Sequence, residues 1–164
     1  YRLLRAARWE TGIALPAAGR ARSVESVVRQ ARQWAAREPG SAARECLDEL
    51  LGRRRFSGRP VAGHSAVAEA VRAGWADAGV CVRFCADELG LNFVPLRRET
   101  LDFCFAAASQ NDPRIQALIR LLRSKAHRQM VSELPGYDGR HTGELVTVSG
   151  GAVATTPAKN SLQE

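Results

Sequence analysis

The chain has 164 residues, 45% apolar and 25% charged, with 24 Lys and Arg against 17 Asp and Glu for a formal net charge of +7. That length suffices for one domain with a proper core or for two small lobes, and no apolar stretch approaches the ~20 residues that a membrane-spanning helix requires. The positive charge is almost wholly arginine; it suits an anionic ligand or nucleic acid, and equally the arginine usage of a GC-rich genome.

Residues 1–8 open without a cap or a Met and read as a segment entered from elsewhere. Thr11-Gly12-Ile13-Ala14-Leu15-Pro16 reads as a strand closed by proline, turning at Ala17-Ala18-Gly19. Ser23 then caps a helix with Val24, Val27, Val28 and Ala31 on one face and Glu25, Arg29 and Arg32 on the other. Gln33-Trp34-Ala35-Ala36-Arg37 is a short buried strand. It leads through Glu38-Pro39-Gly40 into Ser41-Ala42-Ala43-Arg44, the start of an amphipathic helix. A strand, a glycine turn and a helix in that order put backbone N–H groups and a hydroxyl at a helix amino end, which is a natural anion seat.

The loop from Gly52 to Pro60 carries Arg53, Arg54, Arg55 and Arg59. No helix or aromatic platform aims it at nucleic acid, so it reads as a solvated loop. Gly63-His64-Ser65 opens a second glycine-led helix whose Ala66, Val67, Ala70 and Val71 suit close packing on a sheet, and its amino end forms a second anion seat. Trp75 to Val82 reads as turn into strand, with the Asp77 carboxylate bonding amides of its own turn. A short helix from Phe84 to Leu89 stops at Gly90. Strands are expected over 91–96 and 99–107, the second mid-sheet. Asp112-Pro113 starts a helix running to about 132, marked by Ile115, Leu118, Ile119, Leu122 and Met130. Residues 149–164 lack any period and read as a disordered tail.

Cys46, Cys81, Cys85 and Cys104 sit beside apolar neighbours. Cys81 and Cys85 are one helical turn apart, but no Cys or His pair completes a zinc set, so all four read as small buried hydrophobes and no metal is expected. Without a disulfide framework a reducing compartment is favoured, and the location expected is cytoplasmic. His127 and His141 are given no role.

Several motifs in order carry a resemblance: the run 11–16, Ser23-Val24-Glu25, the turn 37–44, His64-Ser65-Ala66-Val67-Ala68, Gly74-Trp75-Ala76-Asp77-Ala78-Gly79, Pro95-Leu96 with Glu99, Pro135-Gly136-Tyr137-Asp138 and Thr142-Gly143. Together, over about residues 8–145, the chain resembles the later part of a periplasmic-binding-protein-like (type 2) domain. It is nearest in kind to the cytoplasmic substrate-binding domains fused to helix-turn-helix regulators of the molybdate and molybdopterin-related group.

The resemblance implies an α/β fold, a three-layer arrangement of sheet and flanking helices, over residues 1–148. Lobe 2 would occupy about 17–95, the crossing strands about 10–16 and 99–107, and the helix 113–132 would belong to a first lobe otherwise incomplete at its amino end. It also implies binding rather than catalysis, with Arg37, Gly40, Ser41, Ala42, Arg44, His64 and Ser65 holding a small anionic ligand, an oxyanion such as molybdate or tungstate or a molybdopterin-type compound. There would be no resident cofactor, no membrane contact and room for a homodimer. DNA would be reached only through a separate domain outside this chain.

The family loop is usually Gly-Ser-Gly-Thr-Arg; here Ala42 and Ala43 remove one hydroxyl donor, and Leu101 stands where relatives often carry Tyr. The alternative function is the solute-binding component of an ABC-type transporter. An enzyme using His64 with Ser65 or Cys81 lacks any nucleophile-elbow, phosphate-loop or metal motif to support it.

Overall fold

The computed structural model describes residues 1–18, 23–54, 57–58, 60–149 and 152–156. The chain divides into two compact units, residues 10–98 and residues 1–9 with 99–164.

The first unit is built on strand–helix repeats. It takes the second part of β1 (Arg2–Leu15), then α1 (Val24–Gln30), β2 (Trp34–Arg37), α2 (Ala42–Leu51), β3 (Pro60–Val61), α3 (Gly63–Arg72), β4 (Ala78–Val82), α4 (Arg83–Glu88) and the first part of β5 (Asn92–Phe105). Strand β2 is central. It runs parallel to β3, with Ala36 opposite Pro60, and parallel to β4, with Trp34 opposite Ala78. Strand β1 closes the other side antiparallel to β4, pairing Thr11 with Val82 and Ile13 with Val80.

Period-two alternation divides the buried residues between two faces. Ile13, Trp34, Ala36, Ala78 and Val80 join Val27 of α1 and Cys46, Leu47 and Leu51 of α2 in one cluster. On the other face α3 lies against β4 and β2, burying Val67, Ala68 and Val71. The residues beneath it are small: an added Cβ at Gly79 would lie 2.5 Å from Val67 Cγ1. Helix, sheet and helix make three layers, as expected of the α/β class.

Helices α1 and α2 start where the cap residues place them, with Ser23 Oγ accepting from the Ser26 N–H and Ser41 Oγ from the Arg44 N–H. Asp77 is structural but holds a different segment from the one expected. Its carboxylate accepts the N–H groups of Arg32 at 2.8 Å and Gln33 at 3.0 Å, fixing the entry to β2. The expected strand at 91–96 is the first part of β5, which is continuous through Pro95 to Phe105.

The second unit contains the first part of β1, the end of β5, a 3-10 turn (Ala107–Asn111), α5 (Pro113–Arg123), α6 (Lys125–Glu133), β6 (Tyr137–Asp138), β7 (Leu145–Ser149) and β8 (Ala152–Thr156). Residues 2–8, read from sequence only as a segment entered from elsewhere, are strand: Leu3 pairs with Val146 and Arg8 with Asp138. The helix expected over 113–132 is two. Ser124 adopts ψ 143°, breaks the first helix and caps the second by accepting the His127 N–H. Within the stretch read as a disordered tail, 152–156 pair with β7 as β8; residues 150–151 and 157–164 lie outside the described residues. So do Gly19 of the first predicted turn and Arg55, Phe56 and Arg59 of the basic loop.

The core of this unit is small. Leu4, Ile119 and Leu122 are buried, with Phe105, Ile115, Leu118 and Leu145 packed around them. Leu101 and Phe103, on one face of β5, are each 45% exposed, where the sequence suggested a strand covered on both faces. Cys104 is exposed rather than buried, and Met130 of the predicted helical stripe is 53% exposed. The 139–143 loop is tied down by Thr142 Oγ1 donating to the Ala6 carbonyl at 3.0 Å and by Arg123 Nε donating to the Gly143 carbonyl at 2.9 Å. Arg5 makes a two-pronged contact with Asp102 at 3.0 and 3.2 Å. Arginine in this unit is thus largely committed to structure. Among the described residues no helix is long and apolar enough to cross a membrane.

Candidate ligand site

Because β2, β3 and β4 are parallel, the helices that follow them all begin at one edge of the sheet, α2 at Ala42, α3 at Gly63 and α4 at Arg83. Helix amino ends carry partial positive charge, and the carboxyl edge of such a sheet is where α/β folds place ligands.

The three starts differ. At α2 the Ser41 hydroxyl is used within its own turn, donating to the Glu38 carbonyl at 2.9 Å and accepting from the Arg44 N–H at 3.3 Å. Gly40 supplies the left-handed residue of that turn, with φ 83°. At α3 the cap position is Ala62 and no side chain caps the first turn. Ser65 therefore lies inside the helix, and its Oγ is 3.6 Å from Cys85 Sγ. At α4, β4 passes into helix directly, Val82 serving as the uncapped end.

Charged groups collect around these starts in pairs. Arg37 donates to Glu38 through Nε at 2.8 Å, and this hydrogen bond is the main cause that draws the Glu38 carboxyl down to about 2, with His64 a smaller electrostatic contributor. His64 of α3 is thus near enough to the turn before α2 to act electrostatically on Glu38. Arg44 turns along its own helix to Asp48 at 2.9 Å. Sequence reasoning missed a further group. Arg83 donates to Glu10 at 3.0 Å and to Asp87 at 3.3 Å, lies 5.8 Å from the Phe93 ring centre, and shares Glu10 with Arg98 at 3.5 Å. A buried strand running into a helix without a loop was the available signal; Glu10, far away in sequence, gave none.

Of the predicted site residues, then, Arg37, Gly40, Ser41 and Ala42 sit at the β2–α2 turn. His64 stands beside that turn, Ser65 faces Cys85, and Arg44 is engaged by Asp48. Four guanidiniums, of Arg37, Arg44, Arg83 and Arg98, face four carboxylates, of Glu38, Asp48, Glu10 and Asp87. The Cys81 thiol is pushed up to about 12, chiefly by burial, which makes it a poor nucleophile. Among the described residues no group of His, Cys, Asp and Glu is arranged to hold a metal.

A parallel sheet edge with three helix starts is the place where α/β domains take their ligands. The chain belongs to the PBP superfamily, whose domain description matches residues 1–123. Over 117 residues it is 32% identical to YvgK of Bacillus subtilis (strain 168), covering 67% of this chain and 37% of that protein. It superposes on the ancestral amino acid-binding protein AncCDT-1, a precursor of cyclohexadienyl dehydratase, with a TM-score of 0.59 at 15% identity over 81% of this chain and 62% of that one. It also superposes on the probable amino-acid ABC transporter extracellular-binding protein ytmK of Bacillus subtilis, with a TM-score of 0.51 at 14% identity over 82% of this chain and 65% of that one. The chain thus spans little more than a third of YvgK and less than two thirds of either structure. The fold is that of a type 2 periplasmic binding protein.

Proposed function

We propose that the chain is the binding domain for a small solute of amino-acid type, of the kind that serves an ABC transporter. The single observation that carries this reading is the charge arrangement at the edge of the parallel sheet. Guanidinium–carboxylate pairs, Arg37 with Glu38 and Arg83 with Glu10, stand at the ends of the strands on this edge, where the first turn of α3 has no side-chain cap. A ligand carrying both signs is matched by such an array; its carboxylate would lie on the α3 amino end near Arg37 and His64, and its cationic group near Glu38 or Glu10. The amino-acid-binding proteins among the solved relatives support the same reading.

A second reading, a sensor domain of a bacterial regulator binding molybdate or a molybdopterin-type compound, rests on the motif order and on the helix amino ends alone. Binding rather than catalysis fits the Ser65 hydroxyl facing Cys85 and a Cys81 thiol that stays protonated. The exposed Leu101 and Phe103 fit a second unit whose lobe is completed by further polypeptide.

Calorimetric titration with L-amino acids and, separately, with molybdate, tungstate, sulfate and phosphate tests the proposal. We expect an amino acid to bind and Arg37→Ala and His64→Ala each to weaken it at least about tenfold, the scale of one charge-assisted hydrogen bond. Binding of an oxyanion alone would favour the sensor reading, and binding unaltered by both substitutions would remove this sheet edge as the site.

A further inference from the structure

A recess lies at the other end of the same strands. A cavity of about 540 Å³ is lined by Gln33 and Trp34 at the start of β2, Pro60 and Val61 of the edge strand β3, and Trp75 and Ala76 before β4. Since β2 and β4 run parallel, this is their amino end, whereas Arg37 and Arg83 mark the carboxyl end; a four-residue strand separates the two by roughly 10 Å or more. The volume falls in the range of small-molecule sites.

The walls are firm. The N–H groups of Trp75 and Ala76 both bond the Ala70 carbonyl, at 2.9 and 3.2 Å, and the Asp77 N–H bonds the Gln33 carbonyl at 2.9 Å. These bonds hold Trp75 on a turn opened by Gly74, φ 74°, with its side chain on the rim and 81% exposed. An indole carried by an anchored backbone on the lip of a recess, and left to solvent, offers an open stacking face.

Among the described residues none that lines it is charged, and besides the indole N–H groups of Trp34 and Trp75 its polar side chain is the exposed carboxamide of Gln33. We propose that this cavity binds a small, uncharged, planar aromatic molecule, its ring against Trp75 and one polar edge group on the Gln33 carboxamide. The site is separate from the solute site proposed above and does not depend on it.

The test uses a matched pair of probes, benzamide and cyclohexanecarboxamide, which share an amide and differ in ring planarity, with caffeine as a larger planar ring. Binding is followed by ligand-observed NMR and by quenching of tryptophan fluorescence. Fragments of this size are expected to bind at about millimolar concentration. Benzamide and caffeine should bind at least about tenfold more tightly than cyclohexanecarboxamide. Trp75→Ala should weaken both rings by about tenfold or more, with Trp75→Phe intermediate. Because Trp75 is largely exposed, its replacement should leave thermal unfolding unchanged, so lost binding would not reflect lost fold. Arg37→Ala and His64→Ala should leave probe binding intact. Equal binding of the planar and saturated amides, undiminished binding to Trp75→Ala, or no binding of either ring overturns the proposal.

Discussion

Replacing Gly79 by Ala tests the packing of α3 on the sheet. The new methyl would lie 2.5 Å from Val67 Cγ1, 3.0 Å from the Ala35 carbonyl oxygen and 3.1 Å from Ala35 Cβ. Carbon atoms pack best at about 3.5–4.0 Å, so Val67 and the helix carrying it must move by about 1 Å, away from a fully buried position. Overpacking of this sort costs about 1–3 kcal/mol, and the backbone oxygen on the other side leaves little room to yield, which puts the expected loss near 2 kcal/mol. For a unit of this size that lowers the melting temperature by about 10 °C. Val67→Ala alone removes two buried methyl groups and should cost about 2 kcal/mol including the cavity left behind. The double variant is the decisive measurement: with Val67 shortened, the added methyl fills the space released. Its loss in urea unfolding should be about 2 kcal/mol rather than the additive 4, a coupling of at least about 1 kcal/mol. A Gly79→Ala protein within about 0.5 kcal/mol of the parent, or strictly additive losses, would refute the account of how α3 sits on β2 and β4.

Thr142→Val keeps the shape but removes the buried hydroxyl that donates to the Ala6 carbonyl, and should cost about 1–2 kcal/mol in denaturant unfolding, with no loss if that bond does not form. Ser124→Ala takes away the cap of α6 and should cost about 1 kcal/mol, with helix content reduced in circular dichroism; an unchanged protein would mean that α5 and α6 are continuous. The Asp77 carboxyl is held below its ordinary 3.8 by the Gln33 and then the Arg32 N–H bonds, so its stabilisation is complete above that value and lost as pH falls through the depressed one. The stability gap between parent and Asp77→Asn should therefore be widest at neutral pH and close in acid; a gap constant with pH would contradict the assignment.

What the sequence disclosed was local. Ser23, Ser41 and Asp112-Pro113 announce their helices because a cap is a bond between a side chain and the backbone two or three residues on. The strand–turn–helix at 34–51 is legible for the same reason, and so are Arg37 and Ser41 at its turn. The long reach of β1 was hidden because Arg2, Arg5 and Arg8 break the apolar pattern, and what holds that part as strand is pairing with β6 and β7, about 130 to 145 residues later. Strand β3 has only two residues and no period to read. Arg83 escaped notice because its partner Glu10 becomes a neighbour only when β1 lies beside β4. The break at Ser124 was obscured by apolar positions that continue across it at helical spacing.

The junction of β4 with α4 contains no spare residue: Val82 ends the strand and Arg83 begins the helix. One residue inserted there would turn α4 by about 100° and carry the Arg83 guanidinium away from Glu10. The connection before α2 is looser, with Glu38, Pro39, Gly40 and Ser41 between strand and helix. Tolerance of changes in length should therefore be unequal along this edge. Insertions should be absorbed at the α2 turn, while Arg83 is a fixed post whose pairing with Glu10 sets the length of the β4–α4 junction.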